Sequence, residues 1–553
     1  MKKRLSTVLI LALIVSMMVP FASFGETYVI QPGDTLWEIA QEHGMSYETL
    51  AGANGIENPH MIYAGTALNV NLVKELDVLT TNDFHGMMEG GYESGAAKLA
   101  AYLEYYKAMN VEGTILLDAG DSFQGSPMSN LLYGEPVVKF FNEMGYAATV
   151  IGNHEFDWGI EKITETMTNN NATYPLLTAN VYKDGALAKW ATPYLITEVN
   201  GVKVGILGLT TPDSAVTAHK DFVGEYTFED PIAITNAMVA ELETKGAEVV
   251  ITLGHIPARQ DYDTKEITGE LADLANGTTG VDAAIGGHSH SQVAGKVNGI
   301  PVVMGYKHGR MIGHITLYFD TVQNKVVNSE VELIEVRKGE LEVEPNAVVA
   351  EFVAGYSKEL EPVFGEVVGT FTEELTRDYN TTSKAGNWFA DVMRAQSGVD
   401  FAFTNAGGIR ADIDAGEVTV EELFTIMPFD NKTVTSAMTG KDIVALLEQG
   451  CTLSKGMLQI SGLTFTYDSS KPEYSRVLEV TMADGTLIDL EKEYTIATND
   501  FLAGGQDNYS TLADFTFSNA YQAEIIRDQL AEELKAIGTY TPDATLRAVD
   551  VAE

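Results

Sequence analysis

The chain of 553 residues has a single cysteine, Cys451, so it cannot form an internal disulfide. No histidine or basic residue flanks Cys451 to lower the pKa of its thiol. We therefore interpret Cys451 as a packed residue and not as a nucleophile.

Positive charge is also scarce, because 35 basic residues stand against 78 acidic ones and leave a formal net charge of −43. Such a chain repels the phosphates of DNA and RNA, which argues against a nucleic-acid polymer as partner. An anionic small substrate would need local cations, supplied by bound metal ions or convergent arginines. A solvated acidic surface explains most of the charge.

Beyond its first residues the chain lacks any apolar run of the about 20 residues that span a bilayer. Residues 2–4 are basic, residues 9–19 are apolar, and small residues precede Gly25. This order predicts a signal peptide over residues 1–25, cleaved near Gly25. We expect a secreted protein, extracellular or associated with the cell wall, with no transmembrane segment after cleavage.

Residues 26–72 read as a small βααβ module. Thr35 and Glu38 have the spacing of a helix capping box, and Gly44 is expected to end that helix. The order of elements and the sequence Gly33-Asp34-Thr35-Leu36 resemble a LysM domain. The resemblance implies binding to peptidoglycan or another glycan that contains N-acetylglucosamine.

From Leu76 onward, apolar strand candidates alternate with helical segments, which is the pattern of a layered α/β domain. The strand candidates are Leu76–Thr81, Thr114–Leu117, Ala147–Ile151, Val202–Leu209, Glu248–Leu253, Ala283–Ile285 and Ile300–Met304. Five of them are followed by polar clusters, which contain Asp83 and His85, Asp121, Asn153 with His154 and Asp157, His255, and His288 with His290. Because ligands gather at the carboxyl ends of strands in such sheets, we expect these clusters to converge.

These side chains can hold two divalent metal ions if the carboxylate of Asp121 bridges them. One ion would take Asp83, His85, Asp121 and His290, and the other Asp121, Asn153, His255 and His288. Nitrogen and oxygen ligands without thiolate favour zinc or manganese over calcium or magnesium. His154 is then free to face a substrate, with Asp157 to orient its ring.

The five motifs Asp-x-His, Gly-Asp-x-x-x-Gly, Gly-Asn-His-Glu-Phe-Asp, Gly-His and Gly-His-x-His, in this order, resemble the calcineurin-like metallophosphatase superfamily. The second α/β domain, at residues 366–549, narrows this resemblance to the secreted 5′-nucleotidase family, and the resemblance covers about residues 75–549. The resemblance implies a layered α/β/β/α metallophosphatase domain at 75–338 and the metal ligands given above. It also implies attack of a metal-bound hydroxide on phosphorus, with His154 and Asp157 as the catalytic dyad.

Residues 366–549 are predicted to form a second α/β domain that binds the substrate. Glycines allow close approach of the backbone to a ligand, arginine offers a forked charge, and phenylalanines can stack on a base. The candidate substrate-binding residues are Asn405, Gly407, Gly408, Arg410, Phe429, Phe501 and Asp507. The resemblance implies a nucleobase held between Phe429 and Phe501. Where the family has Gly-Gly-Asp, this chain has Gln506 inserted between Gly504-Gly505 and Asp507. Arg377 is offset from the family's arginines.

Residues 339–365 are predicted to form a linker helix and a hinge between the two domains. Apolar residues recur at helical spacing from Val348 to Leu360, and Pro345 and Pro362 flank them.

The sequence thus predicts a cell-wall-associated 5′-nucleotidase, a hydrolase of nucleotide catabolism. Two alternatives with the same centre are a UDP-sugar hydrolase and a 2′,3′-cyclic-nucleotide phosphodiesterase. A third is a non-catalytic glycan-binding wall protein.

Overall fold

A computed structural model describes residues 27–552 except 44–45, 57, 71–72, 340 and 519–524. The predicted signal peptide and Gly44 therefore lie outside the described residues. The chain divides into two compact units. The first contains the described residues up to Asp77 together with Thr316–Glu330, and the second contains Val78–Ile315 and the described residues from Val331 onward.

The LysM-like part of the first unit has the predicted βααβ order. Its elements are β1 (Thr27–Val29), α1 (Leu36–Glu42), α2 (Tyr47–Ala53) and β2 (Ala67–Asn69). The two strands pair antiparallel. Thr35 and Ser46 cap the two helices by accepting hydrogen bonds from the backbone N–H groups of Glu38 and Thr49.

The metallophosphatase-like region begins with β3, which starts in the first unit. Its strands are β3 (Val73–Thr81), β4 (Thr114–Asp118), β5 (Ala148–Val150), β6 (Leu176–Leu177), β7 (Val181–Lys183), β8 (Ala186–Leu187), β9 (Tyr194–Val199), β10 (Val202–Thr210), β11 (Thr227–Phe228), β12 (Val249–His255), β13 (Arg259–Gln260), β14 (Ile267–Thr268), β15 (Ala283–Ile285), β16 (Gln292–Val297), β17 (Ile300–Gly305), β18 (Met311–Asp320) and β19 (Lys325–Glu335). Its helices are α3 (Ala96–Met109), α4 (Pro127–Leu131), α5 (Glu135–Met144), α6 (Ile160–Asn169), α7 (Ser214–Thr217), α8 (Lys220–Val223), α9 (Pro231–Thr244) and α10 (Glu270–Gly277).

Two six-stranded sheets form the centre of this region and confirm the layered α/β prediction. One has the order β19-β18-β3-β4-β5-β6 and the other β16-β17-β15-β12-β10-β9. Strands β4, β5 and β6 run parallel to one another, and so do β10, β12, β15 and β17. Every residue of β12 is buried, as expected for a parallel strand covered on both faces. The carboxyl ends of these strands carry the polar clusters.

The C-terminal region is also α/β. Its strands are β20 (Val367–Phe371), β21 (Phe401–Asn405), β22 (Gly416–Thr419), β23 (Thr433–Thr439), β24 (Leu458–Ser461), β25 (Leu463–Tyr467), β26 (Val477–Met482), β27 (Glu493–Asn499), β28 (Thr539–Tyr540) and β29 (Ala548–Asp550). Its helices are α12 (Lys384–Ser397), α13 (Val420–Ile426), α14 (Gly440–Gly450), α15 (Asp500–Ala503), α16 (Ser510–Ala513) and α17 (Ile526–Ile537). Its four-stranded sheet has the order β23-β27-β21-β24. Cys451 is fully buried in the core beside this sheet, where burial raises the pKa of its thiol to about 12.

The helix between the two regions is α11 (Ala347–Phe364). It packs on the core of the metallophosphatase-like region through Val349, Leu360 and Phe364. Two details of the prediction were wrong. Val348 is exposed and not part of the apolar stripe, and Pro362 lies within the last turn, so it does not end the helix. Within the described residues, none of the helices is both long and apolar enough to cross a membrane.

The neighbours Val348 and Val349 provide a matched test of this packing. Val349 is 0% exposed and Val348 is 51% exposed. We expect Val349→Ala to lower the free energy of unfolding by about 2 kcal/mol, because two buried methyl groups are lost. Val348→Ala should change it by less than about 0.5 kcal/mol. Urea unfolding followed by circular dichroism measures both, and equal effects would contradict the packing described.

Candidate metal centre

The seven predicted metal ligands stand at or just after the carboxyl ends of β3, β4, β5, β12 and β15. Five of them have a left-handed backbone conformation. These are Asp83 (φ 49°), His85 (φ 51°), Asp121 (φ 51°), His288 (φ 74°) and His290 (φ 48°). Residues other than glycine seldom adopt this conformation, and those that do cluster at functional sites.

The structure brings Asp83, His85 and His290 together as one group of possible metal ligands, with ligand atoms within 4.8 Å of one another. The Nε2 atoms of His85 and His290 face each other at 3.0 Å, and Asp83 Oδ1 lies 3.3 Å from His290 Nε2. The Nδ1 atom of His85 bonds to the carbonyl oxygen of Gln124 at 2.8 Å. Because Nδ1 is the donor there, neutral His85 presents a lone pair at Nε2.

Asp121, His255 and His288 form the second group, also within 4.8 Å of one another. Asp121 Oδ2 lies 3.1 Å from His255 Nε2, and the Oδ1 of Asn153 lies 2.8 Å from the Nδ1 of His288. The backbone N–H of His288 donates to both carboxylate oxygens of Asp83, at 3.1 and 3.0 Å. These hydrogen bonds link the second group of candidate ligands to the first.

His255 gives the most direct indication that a cation belongs here. Its Nδ1–H donates to the carbonyl oxygen of Ala119 at 2.8 Å, which leaves the lone pair on Nε2. In the neutral ring that buried Nε2 atom has no hydrogen-bond donor beside it, and it lies 3.1 Å from the carboxylate of Asp121. Burial lowers the pKa of His255, but the charge of Asp121 raises it by more, to about 10, so the position between the two atoms attracts a cation or a proton. Buried nitrogen lone pairs beside carboxylates are the donors that zinc and similar divalent ions bind. The residues present therefore fit the two metal ions inferred from the sequence.

Glu155 holds the loops of this centre in place, a role that the sequence did not reveal. Its buried carboxylate accepts backbone N–H bonds from Asp121 at 3.0 Å, Ser122 at 2.8 Å and Gly152 at 2.7 Å. The approach of these loops also requires glycine at 152, since a Cβ there would lie 2.1 Å from Asp121 Oδ1. One carboxylate thus joins the loop after β4 to the loop after β5.

The predicted pair His154 and Asp157 stands beside this centre. His154 Nδ1 lies 2.7 Å from Asp157 Oδ2, and His154 Nε2 lies 4.0 Å from Asp121 Oδ2. Burial lowers the pKa of His154, but the carboxylates of Asp157 and Asp121 raise it by more, so the net shift is upward. The ring of Phe429 stacks on His154 with centroids 5.7 Å apart.

A cavity of about 1790 Å³ joins the candidate metal ligands to the C-terminal region. All seven predicted substrate-binding residues line it, namely Asn405, Gly407, Gly408, Arg410, Phe429, Phe501 and Asp507. Asn405 Nδ2 donates to Asp507 Oδ2 at 2.8 Å, and burial raises the pKa of Asp507 to about 6. Within the described residues, no ring contact joins Phe429 to Phe501, so their predicted role as a clamp stays a prediction.

Gln506 fixes the position of its neighbour Asp507. The side-chain amide of Gln506 donates to the carbonyl oxygens of Ala215, at 3.2 Å, and Ala218. The backbone N–H of Asp507 donates to the carbonyl oxygen of Val216 at 2.9 Å. The residue that departs from the family pattern therefore ties the C-terminal region to the segment after β10.

One wall of the cavity is rich in cations despite the acidic composition. Arg377, Arg410 and Lys307 line it, and Arg377 Nη1 donates to the carbonyl oxygen of Arg410 at 3.1 Å. Burial lowers the pKa of Lys307, and the charges of Arg410, Arg310 and Arg377 lower it further, to about 8. Such a wall attracts anions.

Asp213 also contacts the candidate metal centre, although the sequence did not lead us to predict it. Its Oδ2 lies 3.0 Å from the Nε2 of His288, and it pairs with Lys455 of the C-terminal region. A carboxylate that accepts a hydrogen bond from the ring N–H of a metal-binding histidine fixes the tautomer and the orientation of that ring. Asp213 follows β10 in Thr210-Thr211-Pro212-Asp213, so the rule about strand ends could have found it.

Three family models match successive parts of the chain. The LysM domain matches residues 28–71. The model described as bacterial capsule synthesis protein PGA_cap matches residues 73–306. The model described as 5′-nucleotidase, C-terminal domain, matches residues 367–514.

Individual proteins are similar over most of the chain. Endonuclease YhcR of Bacillus subtilis (strain 168) is 30% identical over 87% of this chain and 41% of its own length. Cell wall protein Lmo0130 of Listeria monocytogenes is 29% identical over 79% of this chain and 64% of its own length. The chain thus spans less than two thirds of either relative. The crystal structure of a 5′-nucleotidase precursor from Thermus thermophilus superposes with a TM-score of 0.74 at 26% identity, covering 87% of this chain and 100% of that one.

The contact between Asp213 and His288 predicts how metal affinity responds to substitution. We expect Asp213→Ala to weaken the binding of zinc or manganese about 10- to 100-fold, because the His288 ring loses its acceptor. Lys455→Ala removes the ion pair but leaves that acceptor, so affinity should change by less than about threefold. Calorimetric titration of metal into chelator-treated protein measures both variants. Equal weakening in the two would contradict the positioning role.

Proposed function

We propose that this chain, which matches a 5′-nucleotidase C-terminal domain and a LysM domain, is a metal-dependent phosphohydrolase of the 5′-nucleotidase family that releases phosphate from nucleotides. The observation that carries this proposal is the cavity lined both by members of each group of candidate metal ligands, His85 and His290 of the first and Asp121 and His288 of the second, and by cations of the C-terminal region. The hydrolysis of a nucleotide needs positive charge near the oxygens of the reacting phosphoryl group and a polar site that binds the nucleoside. Both are present in one cavity.

We assign the metal-binding role to the seven residues of the two groups and propose zinc or manganese as the ions. Bound there, two such ions polarise a phosphoryl oxygen and lower the pKa of a water molecule. Asp121 would be the shared ligand, because its carboxylate lies 3.1 Å from His255 of the second group and also interacts electrostatically with His85 of the first. Glu155 and Asp213 hold these ligands in position.

His154 and Asp157 are the proposed catalytic pair. Asp157 accepts from Nδ1–H, so Nε2 of His154 points toward Asp121 and the cavity. The upward shift in the pKa of His154 favours a ring that carries a proton on Nε2 as well. From that position it donates to a phosphoryl oxygen or to the oxygen of the leaving nucleoside.

The proposed nucleoside site is the C-terminal side of the cavity. Arg410 and the backbone of Gly407 and Gly408 bind anionic or polar groups, and the guanidinium of Arg410 lies 5.5 Å from the centroid of the Phe429 ring. Phe429 and Phe501 offer apolar faces to the base. Asn405 and Asp507, hydrogen-bonded to each other, offer acceptors for ribose hydroxyls.

We further propose that the protein is secreted and held at the cell wall. The LysM domain binds N-acetylglucosamine-containing glycan, and the predicted signal peptide exports the chain. The similarity to a Listeria protein named as a cell wall protein supports this location. The nucleotidase would then act on nucleotides outside the cell.

The catalytic role of His154 is tested by His154→Ala. Phosphate release from AMP should fall about 10²- to 10⁴-fold, because a positioned proton donor is lost. The content of bound metal should not change, since His154 is not a proposed ligand. His314→Ala is the matched control, because His314 does not line the cavity, and it should keep nearly full activity. Near-normal release by His154→Ala would contradict the assignment.

The wall-binding role is tested by deletion of residues 26–72. The shortened protein should stay in the supernatant when mixed with insoluble peptidoglycan, whereas the full chain should sediment with it. The hydrolysis of AMP should be the same for both. Sedimentation of the shortened protein would show that another surface binds the wall.

A further inference from the structure

Helix α7 stands between the candidate metal centre and the proposed nucleoside site. At its start, Asp213 places its Oδ2 3.0 Å from the Nε2 of His288. At its end, residues of the C-terminal region contact its carbonyl groups. Because α7 has only four residues, Ser214–Thr217, it measures about 6 Å from end to end. A residue that binds the end of α7 is therefore held close to a candidate metal ligand.

The C-terminal region caps this end of α7. The last carbonyl groups of a helix have no partner within that helix and need donors from elsewhere. The side-chain amide of Gln506 donates to the carbonyl oxygens of Ala215, at 3.2 Å, and Ala218. The backbone N–H of Asp507 donates to the carbonyl oxygen of Val216 at 2.9 Å. Two consecutive residues thus satisfy three carbonyl groups of one short helix and of the residue that follows it.

The loop that carries Gln506 is strained. Asp507 and Asn508 both have left-handed backbone conformations, with φ of 54° and 64°. Such conformations are unfavourable for residues with a side chain and persist only where contacts hold them. Gln506 is 4% exposed, and its backbone carbonyl accepts from the N–H of Tyr509 at 3.1 Å. The buried Gln506 therefore supplies some of the contacts that hold this loop.

The strained loop presents Asp507 to the cavity. Asp507 Oδ2 accepts from Asn405 Nδ2 at 2.8 Å, and both residues line the cavity. Gln506 is not among the described residues that line it, so it does not touch a bound substrate. It is also the residue inserted relative to the family pattern Gly-Gly-Asp. The side chain of Gln506 therefore acts on a substrate through the position of its neighbour Asp507.

We propose that Gln506 is a positioning residue that makes the protein selective for phosphate esters with ribose hydroxyls. This inference rests on the proposed nucleotide hydrolase function. By capping α7, Gln506 holds the carboxylate of Asp507 at a fixed distance from His288. A 5′-nucleotide needs this distance, because its phosphoryl group must reach the metal ligands while its ribose hydroxyls contact Asp507. Loss of the cap frees the strained loop, so the two ends of the nucleotide are no longer bound in their best positions at once.

The test compares AMP with 2′,3′-dideoxyadenosine 5′-monophosphate, which has the same base and phosphoryl group but lacks both ribose hydroxyls. We expect Gln506→Met, which keeps the length of the side chain and removes its donor, to lower kcat/KM for AMP about 10-fold. For the dideoxy compound the change should be less than about threefold, because that compound makes no hydroxyl contact with Asp507. Gln506→Lys should restore most of the activity on AMP, since an ammonium group donates to carbonyl groups at the end of a helix.

Equal losses on the two substrates would overturn the proposal, because they would show a general disturbance of the site. Unchanged activity of Gln506→Met on AMP would overturn it as well. The rate on the dideoxy compound controls for folding of the variant. Gln323→Met is the matched control, since it removes an exposed amide that donates to Asp320 at 2.7 Å, and it should leave both rates unchanged. If wild-type protein with zinc or manganese hydrolyses neither compound, the proposed function itself fails.

Discussion

The buried negative charge of Asp121 needs a positive charge beside it, and the rest of the site depends on this constraint. Its carboxylate interacts electrostatically with His255 and His85, one imidazole from each group of candidate ligands, and its Oδ2 lies 3.1 Å from the buried Nε2 of His255. Two acceptors at such a distance repel each other unless a cation or a proton lies between them. Because Nδ1–H of His255 donates to the carbonyl oxygen of Ala119, Nε2 is the ring nitrogen that is available to a metal ion in that position.

The backbone of the loops around Asp121 places the candidate ligands in conformations that cost conformational energy. Left-handed conformations at five of the seven candidate ligands are unfavourable for residues with a side chain, and they persist only where the surroundings hold them. Glu155 helps to stabilise these conformations, since its carboxylate accepts three hydrogen bonds from backbone N–H groups of two loops. The candidate metal ligands, the strained loops and the buried Glu155 are thus linked through these backbone hydrogen bonds.

Much of this arrangement was predictable from the sequence, because polar residues after apolar strands converge at one edge of a parallel sheet. The strand candidates lie within a few residues of the observed strands. The role of Glu155 was not predictable, since it depends on Asp121, a partner distant in the chain, whereas the position of Asp213 after β10 follows from the same rule. Helical spacing located α11, but it could not exclude Val348 from the buried face, because the width of that face depends on what packs against it.

The central claim is that these residues hold two metal ions. Anomalous diffraction from crystals of the zinc- or manganese-loaded protein, measured at the absorption edge of the metal, tests it most directly. The account predicts two peaks, one bonded to Asp83, His85, Asp121 and His290 and the other to Asp121, Asn153, His255 and His288. Peaks bonded to other residues, or no peak within bonding distance of Asp121, would contradict it.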